Sequence, residues 1–386
     1  MKKVILTLVF AVFSAFAFAQ ASSSDGGCGH DNDGFHSCFD IDRRTDSCSP
    51  YIRTSPIFCP SDFYAAMFRG ASYSQIEQEG SNSVADVTQK GSNLSVIFQM
   101  GTHAFTSSKN LAKVDQSDLL NYSFITQYGK GNIANVKQSG VFNASDINQV
   151  GKYNDADVDQ MDTHNKSDVD QLGDDNGVTV TQQDCFNKAK VFQCGDDNKA
   201  DVAQSGNYNV ACVKQVGDWN RSDVMQAGEE NTSKADLDGL SNDTAQTQIG
   251  DLNRAYADQD GKWNSSTQMQ SGWRNYAEAD QRGLSHKSTQ TQDGELNEAL
   301  VRQSGLGNTA VQIQSGEANQ AISIQFGIGG STKSDQSGYS NGSLIIQGGL
   351  FNLTDVMQTD GHQASIVTQN MGSFGGGNEA YVVQTK

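Results

Sequence analysis

The sequence predicts an all-β fold: a two-sheet parallel β-solenoid of 22-residue turns, each built from two 11-residue strand-arc units, preceded by a small cysteine-bearing N-terminal segment. Three observations predict it. Gln recurs every 11 residues from Gln116 to Gln369, and Leu237 is the one break in 24 positions. Asn follows each Gln by five residues in 20 of 23 units, with His286, Gly330 and Gln363 in the other places. Within a unit the residues alternate, as in Asn132-Ile133-Ala134-Asn135-Val136-Lys137-Gln138, where Asn, Ala, Val and Gln share one side. An uninterrupted fixed period marks a repeat architecture, and an alternation of two is that of a strand.

Between each Gln and the next Asn the chain must reverse. Gly stands two residues after the Gln in 19 of 23 units, including Gly129, Gly140, Gly151, Gly206 and Gly217, and Asp fills the other four. Both residue types tolerate left-handed backbone angles, so this position is read as the bend of an arc. The second inward position holds only Ala, Ser, Thr or a single Val in all 23 units, which implies a narrow interior. The third inward position reveals the turn length. It becomes Gln at Gln246, Gln268, Gln290 and Gln312, on alternate units, so one turn is two units and two strands face each other.

Each rung of this kind buries few methyl groups, so rungs must hold one another. Parallel strands stacked about 4.8 Å apart let each inward amide bond to its twin above and below. The expected ladder residues are Gln127, Gln138, Gln149, Gln160, Gln171, Gln182, Gln193, Gln204 and Gln215, with Asn132, Asn143, Asn154, Asn165, Asn176, Asn187, Asn198, Asn209 and Asn220. Such pairing removes the penalty of several kcal/mol that a lone buried amide carries. Toward the ends the register loosens. A six-residue insertion separates Gln99 from Asn110, and residues 370–377 lengthen one arc before a last strand ending at Gln384. About fourteen rungs at this spacing make a rod roughly 60–65 Å long.

Three segments are expected along the chain: 1–21, 22–71 and 72–386. The first has Lys2 and Lys3 before an apolar stretch from Val4 to Phe18, then Ala17 and Ala19 or Ala19 and Ala21 in cleavage-site spacing. That reads as a secretory signal peptide, and no later window is apolar enough for a membrane span. Only 36% of residues are hydrophobic, too few for conventional cores in a chain of 386. All three prolines precede residue 61, which suits stacked strands, where Pro removes a ladder donor. The net charge of −18 becomes −20 when Lys2 and Lys3 leave, and a chain so acidic is a poor ligand for nucleic acid.

Segments such as Gln138-Ser139-Gly140-Val141-Phe142-Asn143-Ala144-Ser145-Asp146-Ile147-Asn148-Gln149 resemble the curlin repeat, Q-x-G-x-x-N-x-A-x-x-x-Q, and the resemblance covers roughly residues 72–386. It implies a secreted subunit that assembles head to tail into extracellular amyloid fibres of the biofilm matrix and serves adhesion. It also implies a dedicated outer-membrane secretion pore and a nucleating minor subunit as partners. This chain has more rungs than the handful typical of curli subunits, and a cysteine-bearing stretch where they carry a short linear secretion segment. A second reading is a monomeric surface adhesin or binding module capped by that stretch.

Other chemistry finds little footing. The six His residues are scattered and no nucleophile stands at a meaningful spacing from them, so no catalytic residue and no cofactor is expected. Asp155, Asp157 and Asp159, with Asp168 and Asp170 on the next unit, form an acidic cluster read as a solvated face, with Ca²⁺ binding as the alternative. Cys28, Cys38, Cys48 and Cys59 are an even set in an exported chain and read as two disulfides of open connectivity, or as a metal site with His30 and His36. Cys185, Cys194 and Cys212 lie within the array. A 22-residue turn keeps them too far apart to pair with one another, so they are expected as free thiols or as bonds between chains.

Overall fold

The computed structural model describes residues 71–79, 82–101, 109–369 and 376–385. The described residues hold 28 strands, from β1 (Tyr73–Glu79) and β2 (Val84–Gln89) to β27 (Ala364–Gln369) and β28 (Glu379–Gln384). Odd-numbered strands form one 14-stranded sheet and even-numbered strands the other, each in sequence order. All ladders are parallel, and the central register advances by 22 residues, with Gln182 beside Gln160 and Gln204. The insertion after Gln99 is absorbed without loss of pairing, since Gln99 still sits beside Gln127. The long final arc likewise leaves Gln358 beside Gln384. The protein is therefore a two-sheet parallel β-solenoid with one strand of each sheet per turn.

The inward set follows the alternation. Ala134, Val136 and Gln138 are at most 2% exposed, and Asn132 is fully buried. One aliphatic cluster runs from Ile97 to Leu237, and a second comprises Ile345, Val356 and Val367. Between them the interior changes character. Gln246, Gln268, Gln290 and Gln312 form an extra ladder in the even sheet, with Nε2 to Oε1 distances of 2.8, 2.8 and 3.1 Å. Ala257 and Ala279 lie in the facing odd sheet, so a long side chain meets a short one and the interior stays filled. In the second column Ser95, Ser123, Ser145 and Ser167 bury hydroxyls that find no partner. Smallness is what these positions share, although Ser233 donates to Gln246 and Thr354 accepts from Gln347 and donates to Gln369.

The arcs explain the glycines. At Gly140 φ is 102°, and an added Cβ would lie 2.1 Å from the Asp162 carbonyl oxygen of the next rung. No side chain fits there unless the backbone rotates, and Asp118, Asp162, Asp184 and Asp360 do so by holding φ between 66° and 83°. A second left-handed position was not legible in the sequence. The residue just before each Asn also has positive φ, and it is often bulky: Tyr153, Trp219, Leu252, Trp263 and Phe351 lie between 50° and 62°. A non-Gly residue pays about 1–2 kcal/mol there. Each is held by a backbone bond to the preceding rung, as from Tyr153 N–H to the Lys130 carbonyl at 2.9 Å.

Leu237 tests how much a ladder contributes. Gln215 donates to the Lys199 carbonyl but meets no amide at position 237, and the buried Oε1 of Gln259 on the other side is unpartnered. Leu237→Gln is expected to rejoin Gln215 to Gln259 and stabilise the fold by about 1 kcal/mol. Gln204→Leu, which orphans a donor on Gln182 and an acceptor on Gln226, is expected to destabilise by about 2 kcal/mol. Hydrogen exchange localised to the neighbouring rungs reads both; unchanged protection in the two variants would refute this account.

Candidate functional site: the open ends of the amide ladders

The eighteen ladder residues from Gln127 to Asn220 are all at most 2% exposed. Gln138 shows how the Gln file works. Its Oε1 accepts from Gln116 at 2.7 Å, and its Nε2 donates to Gln160 at 2.7 Å and to the Tyr122 carbonyl of the facing sheet at 2.9 Å. One amide therefore ties rung to rung and sheet to sheet. Asn fastens the arcs. The Asn143 backbone N–H donates to Asn121 Oδ1 at 3.0 Å, while its Nδ2 donates to the Ser139 and Asp162 carbonyls at 2.9 Å each. The arc glycines Gly129, Gly151, Gly206 and Gly217, like Gly140, all have φ between 90° and 129°.

The Gln ladders have a direction. In every Gln-to-Gln bond the lower-numbered residue donates, from Gln78 to Gln99 at 2.6 Å through Gln358 to Gln384 at 2.7 Å. The Asn files run the other way, as from Asn378 N–H to Asn352 Oδ1 at 3.1 Å. The two ends of the stack are consequently complementary. At the N-terminal end Gln78 and Gln89 keep the Oε1 atoms that a further rung would use. At the C-terminal end Gln369 and Gln384 spend one N–H on the Leu353 and Ala364 carbonyls and keep the other. Beside them the end rungs show similar apolar residues, with Ile76 at 45% exposed at one end and Val382 part-exposed at the other.

Residues 134–161 and 195–228 match the family model of the curlin associated repeat. Over these two spans the chain is similar to the curlin associated repeat. No curated protein matches it. Both the family and the solenoid fold are structural in kind. The first matched span runs from β6 (Ile133–Gln138) through β8 (Asp155–Gln160), and the second ends within β14 (Arg221–Glu229). The matched units include ladder pairs Gln138–Gln160 and Gln204–Gln226, so the family signature and the axial bonds are the same residues.

Two expectations need correction. The acidic residues do not form one cluster: Asp155, Asp157 and Asp159 lie in the even sheet, and Asp168 and Asp170 in the odd one, on opposite outer faces, because consecutive units always change sheets. Four of the five meet a cation or an amide: Lys137 lies 3.2 Å from Asp159 and Lys190 3.7 Å from Asp168, while Asn135 donates to Asp157 and Asn148 to Asp170. Among the described residues no group of three or more His, Cys, Asp or Glu could hold a metal ion. Nor is any helix there long and apolar enough to cross a membrane. The cysteine expectation also fails in part. Cys185 is free, but Cys194 and Cys212 are each disulfide-bonded. Spacing within the array excludes pairs among these three and says nothing about partners elsewhere in the chain. Cys28, Cys38, Cys48 and Cys59, with His30, His36 and residues 1–21, lie outside the described residues.

His286 stands where other rungs have Asn. It is buried, its Nε2 meets the Arg282 carbonyl at 3.0 Å, and its Nδ1 accepts the Asn308 backbone N–H at 3.3 Å. Only the neutral imidazole carrying its proton on Nε2 satisfies both contacts. Burial pulls the ring below its ordinary pKa, outweighing the backbone bonds that raise it. As pH falls, the unfolded chain therefore takes up this proton first. The stability is complete above the unfolded value of about 6.5 and is lost as pH falls through the lower folded value. We expect hydrogen exchange around His286, corrected for intrinsic rate, to accelerate between pH 7.5 and 5.5, and His286→Asn to abolish the change. Equal protection at both pH values would contradict the neutral assignment.

Proposed function

We propose that the protein is a structural subunit of a curli-like extracellular amyloid fibre that contributes to biofilm matrix and adhesion. In this reading it is secreted, leaves through a dedicated outer-membrane pore and grows from a nucleating minor subunit. The observation that carries the reading is the complementarity of the two ends. A C-terminal rung offers Nε2–H donors from Gln369 and Gln384, and an N-terminal rung offers Oε1 acceptors on Gln78 and Gln89. Head-to-tail addition of a second copy continues each ladder in its own direction and covers Ile76 and Val382. The strand edges also continue, because parallel backbone bonds at the ends have the same spacing as those within. The acidic outer faces then limit side-by-side association: on the odd face Asp236, Asp258 and Asp280 stand in one file. Burial, and then those two neighbours, push the Asp258 carboxyl above its usual range.

Assembly of the purified mature chain tests this. The expected outcome is thioflavin-positive fibres over days, with a meridional reflection near about 4.8 Å. Replacing Gln369→Glu and Gln384→Glu together removes the end donors and adds like charge, and is expected to slow elongation about tenfold, equivalent to about 1.4 kcal/mol. Circular dichroism of the monomer should not change. A wild-type chain that stays a monodisperse monomer would favour the monomeric adhesin instead, and equal elongation by the double variant would place the joint elsewhere.

A further inference from the structure

The two disulfide-bonded cysteines of the array sit on one outer face. Cys194 ends β11 (Lys188–Cys194), and Cys212 lies in β13 (Val210–Asp218) between the inward residues Ala211 and Val213. Both therefore point away from the interior, yet they are only 7% and 1% exposed. They are not bonded to each other. Register places Cys212 beside Lys190 and Cys194 beside Val216, which puts the two cysteines four residues apart along the strand. That is about 13 Å, beyond the roughly 7 Å limit between disulfide-bonded Cα atoms. The chain has seven cysteines and Cys185 is free, so the four before residue 60 are the remaining candidates.

The same face is built to be covered. Met100, Tyr128, Val150, Leu172, Cys194 and Val216 stand side by side in one outward file across six strands, and the file ends at Asp238. A groove follows it, lined by Leu172, Cys194 and Val216 among others. At its N-terminal end the outward residues Leu94 and Val96 are 5% and 2% exposed. The equivalent file of the even sheet is more polar, with Ser117, Ser139, Gln183 and Ser205 flanking a single apolar Met161 before Ala227. An apolar file with buried, disulfide-bonded cysteines on one outer face and a more polar file on the other marks a docking face.

We propose that residues 42–71 are its occupant, a strap laid across the odd sheet and tied by disulfides from Cys48 and Cys59 to Cys194 and Cys212. Three facts select this segment. It carries Cys48 and Cys59, the two of the four candidate cysteines nearest to β1 in sequence. Phe63, Tyr64, Met67 and Phe68 supply the apolar surface that the file lacks. The reach also suffices: β1 begins at Tyr73 and lies five strands from β11 in the odd sheet, a distance of about 24 Å. The 14 residues between Cys59 and Tyr73 can span up to about 46 Å. Each bond is the oxidation of two thiols to one disulfide, with two electrons and two protons passing to the disulfide-forming oxidant of an exporting compartment. The strap occupies a side of the solenoid and leaves both ladder ends open.

Peptide mapping of the non-reduced, full mature chain tests the assignment. The expected result is Cys48 and Cys59 peptides cross-linked to Cys194 and Cys212 peptides, with Cys185 alkylated. A Cys48–Cys59 link, a Cys194–Cys212 link, partners at Cys28 or Cys38, or free thiols at the array positions would overturn it. The Cys194→Ser, Cys212→Ser variant supplies a second reading. Limited proteolysis within residues 42–71 should quicken at least about tenfold while the solenoid's circular dichroism is retained, since a tether's loss exposes a docked segment to local opening. Unchanged cleavage would show that no such tether holds it.

Discussion

Everything in this molecule depends on an amide placed inside a narrow interior where its nearest equivalent is one strand spacing away. A buried Gln must find two acceptors for its Nε2 and a donor for its Oε1, and a sheet spacing of about 4.8 Å brings the next Gln to bonding distance in both directions. Gln149 meets all three demands, through Gln127, Gln171 and the Ile133 carbonyl. The constraint fixes the rest. Amides can form files only if every strand keeps its register, so the 22-residue step holds through the array and extra residues, as between Gln99 and Asn110, fall outside the strands. The files can stay dry only if the second column is small, hence Ala and Ser. The turn can close only if the arc bends twice, and the Asn side chain holds the carbonyls that the bend leaves over.

Much of this was legible because the code is periodic. Gln and Asn at fixed offsets imply the strand facing, and the 22-residue recurrence of Gln246, Gln268, Gln290 and Gln312 implies the two-strand turn. What stayed hidden is what period alone cannot carry. The left-handed residue before each Asn has no compositional mark, since Phe142, His164, Phe186 and Tyr208 all occupy it. Their conformation is set by backbone bonds between rungs, and it stacks the four rings with centroids 4.7–4.9 Å apart. The direction of the ladders, which makes the two ends of the solenoid complementary, likewise depends on how each amide is rotated. The disulfides of Cys194 and Cys212 depend on chain outside the repeat, so array arithmetic could not reach them.

The interior also shows that one backbone accepts two kinds of core. From Ile97 to Leu237 the third column is largely aliphatic, and apolar burial supports the stack alongside the amides. From Gln246 to Gln312 that support is exchanged for a second amide file facing Ala257, Ala279, Val301 and Ser323, without a change in register. Large and small residues trade places across the gap while the total filling is conserved. Strand pairing sets the geometry, and the column residues adapt to it.

Leu237 has a mechanical meaning. A stack pulled along its axis yields where the fewest bonds cross between neighbouring turns. Around residues 246–312 the even sheet carries two side-chain files in parallel, so load there is shared between them. At Leu237 the odd sheet carries no Gln–Gln bond on either side, and the second file of the even sheet begins only at Gln246. The seam between the aliphatic and the amide cores thus coincides with the gap in the Gln file. Under tension the molecule is not a uniform cable but two stiff lengths joined at a softer link, and strain put on either end collects there.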